Sequence, residues 1–127
     1  MPASPLSIEI QPALGSTTVA RLSGEFDMSG VEIFDSLIIG DLLAVQSGNA
    51  VLDLAEVSFM DSTGLGALIR ANQFATAQGI ILTLLAPSAR VRKLLEVTGV
   101  ASTFTIVESP DQPEAPSSNQ TEPGSPS

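Results

Sequence analysis

The sequence predicts a single α/β domain in which a small mixed sheet of about four or five strands packs against about three or four helices. Three observations support this fold class. Short apolar segments alternate along the chain with longer segments whose apolar residues recur every three or four positions. The chain has 127 residues, the size of one domain. Apolar residues make up 43% of it and include only five Phe as aromatics, so aliphatic side chains must build most of the core.

The first two strands are predicted to form a hairpin. Residues 6–10 alternate between apolar and polar side chains, which is the pattern of a half-buried strand. Residues 12–15 include the Pro and Gly of a turn, and the β-rich segment 17–23 can pair back on the first strand. Gly24 is expected to end the second strand.

A first helix is predicted from the N-cap Ser29 to about Gln46. Its apolar residues recur at steps of three and four and define one face: Val31, Phe34, Ile38, Leu42 and Val45. Further along the chain, the short apolar segments 50–54 and 80–85 are bounded by turn residues and suit buried central strands.

A second helix is predicted to begin near Ser62, after a loop, and to end at Gly79. Its predicted core stripe consists of Leu65, Leu68, Ile69, Asn72 and Ala75. Ser88 is expected to cap a third helix that ends at Gly99, and residues 103–107 to form a last short strand. The element order β-β-α-β-α-β-α-β favours a mixed sheet with right-handed parallel crossovers.

Composition and charge exclude several kinds of function. The chain has neither Cys nor His, which rules out disulfides, thiolate metal sites and Ser-His-Asp catalysis. We therefore expect no enzyme, no catalytic residue, no metal and no cofactor. The net charge of -9 disfavours nucleic acid and anionic membranes as partners, and either favours a basic partner surface or serves solubility alone. No apolar segment is long enough for a membrane helix, so a cytoplasmic location is expected.

Residues 109–127 are predicted to form a disordered tail, which leaves residues 6–108 as the folded domain. The segment is rich in Pro and Ser and contains no Lys or Arg. Its few apolar side chains cannot offset the entropy that ordering would cost.

Residues 61–66, D-S-T-G-L-G, carry the functional prediction. They join a buried strand to the second helix, and in α/β sheets such loops often hold binding sites. Ser62 is expected at the helix start, where unpaired backbone N–H groups and the helix dipole favour a phosphate. Gly64 and Gly66 would let a partner backbone or a nucleotide phosphate approach. The alternative is that Asp61 or Ser62 is only an N-cap. The P-loop and dinucleotide-binding patterns are both incomplete here.

Residues 60–66, M-D-S-T-G-L-G, resemble the phosphorylation motif of the STAS domain, a family named for sulphate transporters and anti-sigma-factor antagonists. Three further segments agree with that family in order and spacing: 24–27, 51–59 and 91–100. The resemblance covers residues 6–108 and implies the family fold, a small sheet with helices packed on it.

The resemblance also implies a partner-switching role in transcription regulation. The chain would bind an anti-sigma factor that is also an ATP-dependent serine kinase, and this binding would release a sigma factor. Ser62 would be the residue that the kinase phosphorylates, and a serine phosphatase would restore the binding form. The alternative is a stand-alone STAS module in a stress-sensing or lipid-transport complex.

Other residues are expected to flank the phosphorylation site or to contact the partner: Asp27, Asp61, Thr63, Gly64, Leu65, Gly66, Arg70 and Phe74. Asp27 would lie beside Ser62 if their two loops share one end of the sheet; otherwise it is a turn residue. The helix side opposite the core stripe carries Thr63, Ala67, Arg70 and Phe74. An exposed Phe beside an Arg is either a partner contact or an ordinary surface residue. The basic cluster Arg90, Arg92 and Lys93 is expected to be a solvated face.

Overall fold

Strands and helices alternate along the part of the chain that the structure, a computed structural model, describes: residues 4–11, 15–44 and 48–108. Its strands are β1 (Ser7–Ile10), β2 (Thr17–Phe26), β3 (Asn49–Met60), β4 (Ile81–Leu85) and β5 (Thr105–Val107). Its α-helices are α1 (Met28–Phe34), α2 (Ser62–Ala77) and α3 (Ala89–Val97). A π-helical segment, Asp35–Leu43, continues α1, and a 3₁₀ turn, Ala101–Thr103, precedes β5. The predicted element order is confirmed.

The strands form one sheet in chain order, β1-β2-β3-β4-β5. β1 pairs with β2 antiparallel, and the later pairings are parallel. Each parallel crossover moves one strand over in the same direction, so right-handed crossovers place α1, α2 and α3 on the same face of the sheet. The mixed α/β sheet with helices packed on it is therefore confirmed.

The core lies between the sheet and this helical layer. β3 contributes alternate residues to this core: Ala50, Leu52 and Leu54, which have no exposed surface. The rings of Phe26 and Phe34 pack with centroids 4.9 Å apart and join the end of β2 to the end of α1. Because both rings are fully buried, truncating either to Ala would cost about 3–5 kcal/mol.

The ends of α3 follow the predicted signals. The Ser88 hydroxyl accepts a hydrogen bond from the backbone N–H of Val91, as an N-cap does. Gly99 follows the helix with a φ of +76°, the left-handed conformation that favours glycine after a helix.

Two strands are longer than predicted. β2 continues through Gly24 to Phe26, and β3 continues beyond Leu54 to Met60, where the sequence predicted a loop. The two strands pair with each other as far as Phe26 opposite Met60, and this long-range pairing extends both. Gly24 does not end its strand. Its φ of +93° and the nearby carbonyl oxygen of Pro5, which a Cβ would overlap, both require glycine there.

The pairing of β2 with β3 contains two register shifts, both between Arg21 and Glu25. Between the pair Arg21–Asp53 and the pair Phe26–Met60, β3 consequently has two more residues than β2. Bulges of this kind bend a strand and re-aim its end. Here they bring the last residues of the two strands level at the same edge of the sheet.

The N-cap of α1 is Asp27 rather than Ser29, so the helix begins two residues earlier than predicted. The Asp27 carboxylate accepts hydrogen bonds from the Ser29 backbone N–H (3.0 Å) and from the Ser29 hydroxyl (2.6 Å). Ser29 therefore donates to the cap instead of forming it. The predicted turn residues 12–14, the helix end at 45–46 and the tail at 109–127 lie outside the described residues, so the domain boundary remains a prediction.

Candidate functional site

The candidate site lies at the edge of the sheet where β2 and β3 end side by side. Asp27 directly follows Phe26, and Asp61 directly follows the register partner Met60. The backbone N–H of Asp61 also donates a hydrogen bond to the carbonyl oxygen of Phe26 (3.4 Å). The structure thus brings together the two loops that carry Asp27 and Ser62.

The two loops have the same local geometry. Asp61 caps α2 by accepting hydrogen bonds from the Thr63 backbone N–H (3.0 Å) and hydroxyl (2.5 Å) through one carboxylate oxygen. Asp27 caps α1 in the same way, with the N–H and hydroxyl of Ser29 as donors. In each loop the residue between the cap and the hydroxyl residue is exposed: Met28 in the first loop and Ser62 in the second.

These hydrogen bonds distinguish the two hydroxyl groups of the motif. The Thr63 hydroxyl donates to Asp61, and this bond is the main cause that lowers the pKa of the Asp61 carboxyl below its usual value. Burial is the next largest effect and raises the pKa, and the N–H groups of Gly64 and Thr63 lower it further. Within the described ranges, no residue forms a hydrogen bond with the exposed Ser62 hydroxyl. Ser62 therefore carries the accessible hydroxyl.

The two glycines of the motif have different roles. Gly64 is buried, and a Cβ on it would overlap the carbonyl oxygen of Phe26 and lie 3.0 Å from the Phe26 ring. Gly64 thus permits the first turn of α2 to pack on the end of β2, rather than giving a partner access as the sequence suggested. Leu65 likewise is 6% exposed and belongs to the core, so it offers a partner almost no surface. A Cβ on Gly66, in contrast, would meet Arg70 Nη1 at the ordinary distance of 3.9 Å, apart from the backbone of its own helix and its chain neighbours.

A groove runs from this edge between α1 and α2. The two helices follow neighbouring parallel strands, so they run in the same direction with their N-termini at the same edge. The groove has a volume of about 590 Å³ and is lined by Met28, Val31, Glu32, Asp35, Ser62, Thr63, Gly66 and Arg70. Arg70 is the one cation among these lining residues, and its Nη2 lies 3.0 and 2.9 Å from the two carboxylate oxygens of Asp35.

The rest of the predicted contact side of α2 is less exposed than expected. Ala67 has no exposed surface, because α2 packs against α1 and the π-helical segment as well as against the sheet. Phe74 is half-buried and packs against the core. Arg70 is exposed, but its guanidinium is paired with Asp35. Of the predicted contact side, Arg70 is therefore exposed, Thr63 and Phe74 are half-buried and Ala67 is buried.

Sequence reasoning missed the wall of the groove that α1 supplies. Met28 is 73% exposed and stands at the groove beside Ser62, yet the sequence alone gave it no role. One signal was present: the segments Asp27-Met28-Ser29 and Asp61-Ser62-Thr63 share the pattern of an Asp followed two residues later by a hydroxyl residue. The remaining residues of this wall, Val31, Glu32 and Asp35, come together with α2 only through the sheet topology.

The electrostatics around Ser62 are acidic. Asp27 and Asp61 flank it as helix caps, and Glu32 and Asp35 line the facing wall of the groove. The basic cluster of α3 contacts other groups: Arg90 stacks 5.7 Å from the centroid of the Phe59 ring, and Arg92 pairs with Glu108. The described residues contain no cluster of three or more carboxylates that could hold a metal ion. In the same part of the chain, each helix is too short or too polar to cross a membrane.

The STAS domain family matches residues 7–112, which is most of the chain. The chain belongs to the STAS domain family. Its relatives include the anti-sigma-B factor antagonist of Bacillus subtilis, which is 31% identical over 86 residues, or 68% of this chain and 77% of that protein. This STAS domain is therefore a distant member of the anti-sigma-factor antagonist group.

Solved structures of anti-sigma factor antagonists share the fold. The anti-sigma factor antagonist SpoIIAA in its unphosphorylated form matches with a TM-score of 0.66 and 26% identity, over 80% of this chain and 88% of that one. SpoIIAA in its phosphorylated form matches with a TM-score of 0.62 and 25% identity, over 80% and 91%. An anti-sigma factor antagonist from Mycobacterium paratuberculosis has a TM-score of 0.73 over 86% and 92%, and at 22% identity it shows the common fold.

Proposed function

We propose that this STAS domain is an anti-sigma-factor antagonist that binds an anti-sigma factor with serine kinase activity and so releases a sigma factor. In this proposal, phosphorylation of Ser62 ends the binding and a serine phosphatase restores it. One observation carries the proposal: Ser62 presents an exposed hydroxyl at the first position of α2, while the neighbouring Thr63 hydroxyl donates to Asp61. A related antagonist has been solved in both a phosphorylated and an unphosphorylated form, which supports a switch of this kind.

The surface around Ser62 gives the binding form its complementarity. Met28 offers an exposed apolar side chain, and the groove beside it is rimmed by Glu32 and Asp35. A partner that fits here presents a basic surface around an apolar side chain. This role is that of a binding protein rather than an enzyme. It operates in the cytoplasm, where sigma factors act, and involves no direct contact with nucleic acid or membrane.

A phosphate on Ser62 changes the charge of this surface without requiring the domain to unfold. The group adds about -1.5 to -2 charges at neutral pH. It lies at the positive end of the α2 dipole, which favours a negative charge, while the N–H groups of Thr63 and Gly64 stay bonded to Asp61. Asp27 and Asp61 already make the edge negative. A partner fitted to a neutral hydroxyl then meets a bulky dianion, and a loss of about 3 kcal/mol would reduce affinity by roughly a hundredfold.

The test starts from partners captured by unphosphorylated protein and identified by mass spectrometry. We expect an ATP-binding anti-sigma factor that, with ATP, places phosphate on Ser62 in phosphopeptide maps. The S62A variant should bind but stay unmodified, and the matched T63A variant should still be modified at Ser62. S62D should bind poorly, although it carries only one charge.

Several outcomes would contradict the proposal. Phosphate on Thr63 alone would show that Ser62 is not the phosphorylated residue. Equal partner binding by the phosphorylated and unphosphorylated forms would show that phosphorylation does not control binding. Capture of a stress-sensing or lipid-transport complex instead of an anti-sigma factor would support the alternative STAS role. ATP turnover by the purified protein alone would point to an enzyme.

A further inference from the structure

Arg70, which the sequence suggests as a partner contact, lines the groove with its guanidinium paired to Asp35. It lies on the same side of α2 as Ser62 and Gly66, and all three residues line the groove. From Ser62 to Arg70 the helix advances by about 12 Å. Helical side chains lean toward the N-terminus, and Arg70 does so here: its Nη1 lies 3.9 Å from the position that a Cβ on Gly66 would occupy. The guanidinium has therefore already covered about half of the distance to Ser62.

The absence of a side chain at Gly66 leaves this path open. Apart from the α2 backbone and the two neighbouring residues, the described atom that a Cβ placed there would meet is the guanidinium nitrogen of Arg70, at 3.9 Å. The remaining distance along the axis is the rise over the four residues from Ser62 to Gly66, about 6 Å and slightly more than one turn. To span this distance, the phosphoserine side chain at position 62 has to turn toward the C-terminal end of α2, against the usual lean, while the Arg70 side chain rotates toward it.

The present partner of Arg70 is weakly held. The pair with Asp35 has short distances, but the side chains of Arg70 and Asp35 are 48% and 41% exposed. Exposed ion pairs contribute little to stability because water and salt screen them. A phosphate dianion offers more charge than a carboxylate and the oxygen geometry that a guanidinium binds with two N–H groups.

We infer that Arg70 exchanges Asp35 for the phosphate when Ser62 is phosphorylated. The exchange rests on the proposed phosphorylation of Ser62 and adds a second effect to it. The phosphate is then held in the groove by the one cation among its lining residues, and the carboxylate of Asp35 is left without its counter-ion. Phosphorylation thus makes the groove more negative at two places, at Ser62 on α2 and at Asp35 on the facing wall.

The experiment measures the second pKa of the phosphate by ³¹P NMR in protein carrying phosphoserine at position 62. The amino acid is installed during translation, so the natural kinase is not needed. A nearby cation favours the dianion and lowers this pKa. The R70Q variant should raise it by about 0.7 pH unit, the shift that one unit charge at ion-pair distance produces in water. R70K keeps the charge and should retain most of the lowering.

The controls separate Arg70 from the other charges near the phosphate, which are Glu32 and Asp35 on the facing wall, Asp61 on its own helix and Asp27 in the adjacent loop. The control variant R92Q removes an arginine of α3 that is also paired with a carboxylate but lies outside the groove, and it should leave the phosphate pKa unchanged. D35N should lower the phosphate pKa more when Arg70 is present than in the R70Q background. Only when Arg70 is present does the loss of the Asp35 charge free the guanidinium to bind the phosphate.

An unchanged phosphate pKa in R70Q, an equal shift in R92Q, or the same effect of D35N in both backgrounds would overturn the exchange. These results are independent of the proposed function. If no kinase modifies Ser62 in the capture experiment, the proposed function fails while the titration still reports on Arg70. If the titration fails, Ser62 can remain the site of the switch.

Discussion

The two glycines of the D-S-T-G-L-G segment should respond in opposite ways to replacement by alanine, one by losing stability and the other by keeping or gaining it. In G64A the new methyl group would overlap the backbone carbonyl oxygen of Phe26 and lie 3.0 Å from its ring and 3.1 Å from Met60 Cγ. A backbone oxygen cannot move aside by changing a rotamer, so strands or helix must shift. Overpacking of this kind costs about 1–3 kcal/mol, which exceeds the gain of up to about 1 kcal/mol that alanine brings to a helix.

The matched variant G66A removes a glycine two residues further along the same helix. Its nearest new neighbour is Arg70 Nη1 at 3.9 Å, an ordinary van der Waals distance. G66A should therefore be neutral or stabilising by up to about 1 kcal/mol.

Urea unfolding and thermal melts of wild type, G64A and G66A compare the two sites. For a domain of this size, a loss of 1 kcal/mol lowers the melting temperature by about 4–8 °C, so G64A and G66A should melt several degrees apart. G64A as stable as the wild type, or G66A destabilised as much as G64A, would refute the packing role of Gly64.

Three further substitutions test other parts of the site. M28A should leave the melting temperature unchanged, because Met28 is 73% exposed, but should weaken binding of the anti-sigma factor about tenfold if Met28 is an interface anchor. The control is V97A, which changes an exposed residue of α3. If M28A binds as tightly as the wild type, Met28 is not part of the interface. The pKa of the Asp61 carboxyl is lowered in the folded state from its ordinary value of 3.8. The charged carboxylate therefore stabilises the fold at pH values above 3.8, and this stabilisation is lost as the pH falls through the lower pKa of the folded state. D61N should accordingly show a smaller loss of unfolding free energy between pH 7 and acid than the wild type, and an identical pH profile would contradict the assignment. F74A should cost about 1–2 kcal/mol in denaturant melts, below the 3–5 of a fully buried Phe such as Phe34, and a cost equal to that of F34A would place Phe74 in the core.

Local hydrogen bonding explains which parts of the site the sequence could predict. The start of α2 and the caps Asp61 and Ser88 depend on residues within three positions of each other, and the sequence displays them directly. The 3.6-residue period likewise located Leu65 and Leu68 on the buried side of α2. The element order followed from such local signals, and right-handed crossovers then determined the sheet.

Long-range pairing explains what the sequence could not show. The segment 55–60 alternates imperfectly, and only its partner β2 makes it a strand. Ala67 is small enough to suit either surface or core, and its burial depends on the helix that lies beside it. The groove has the same origin, because Met28 and Ser62 are 34 positions apart in the chain and become neighbours only when β2 and β3 end level.

The two register shifts between β2 and β3 have a consequence for protein engineering. Without them, continued pairing from Arg21 and Asp53 would set Phe26 opposite Ser58 and leave Asp61 two residues further out, about 7 Å beyond its present level. Transferring only the short D-S-T-G-L-G segment to another parallel sheet would therefore separate the two helix starts and lose the groove. A functional graft needs the irregular strand pair that precedes the motif, and a one-residue deletion within 54–58 should be more harmful to the site than a longer deletion in a surface loop.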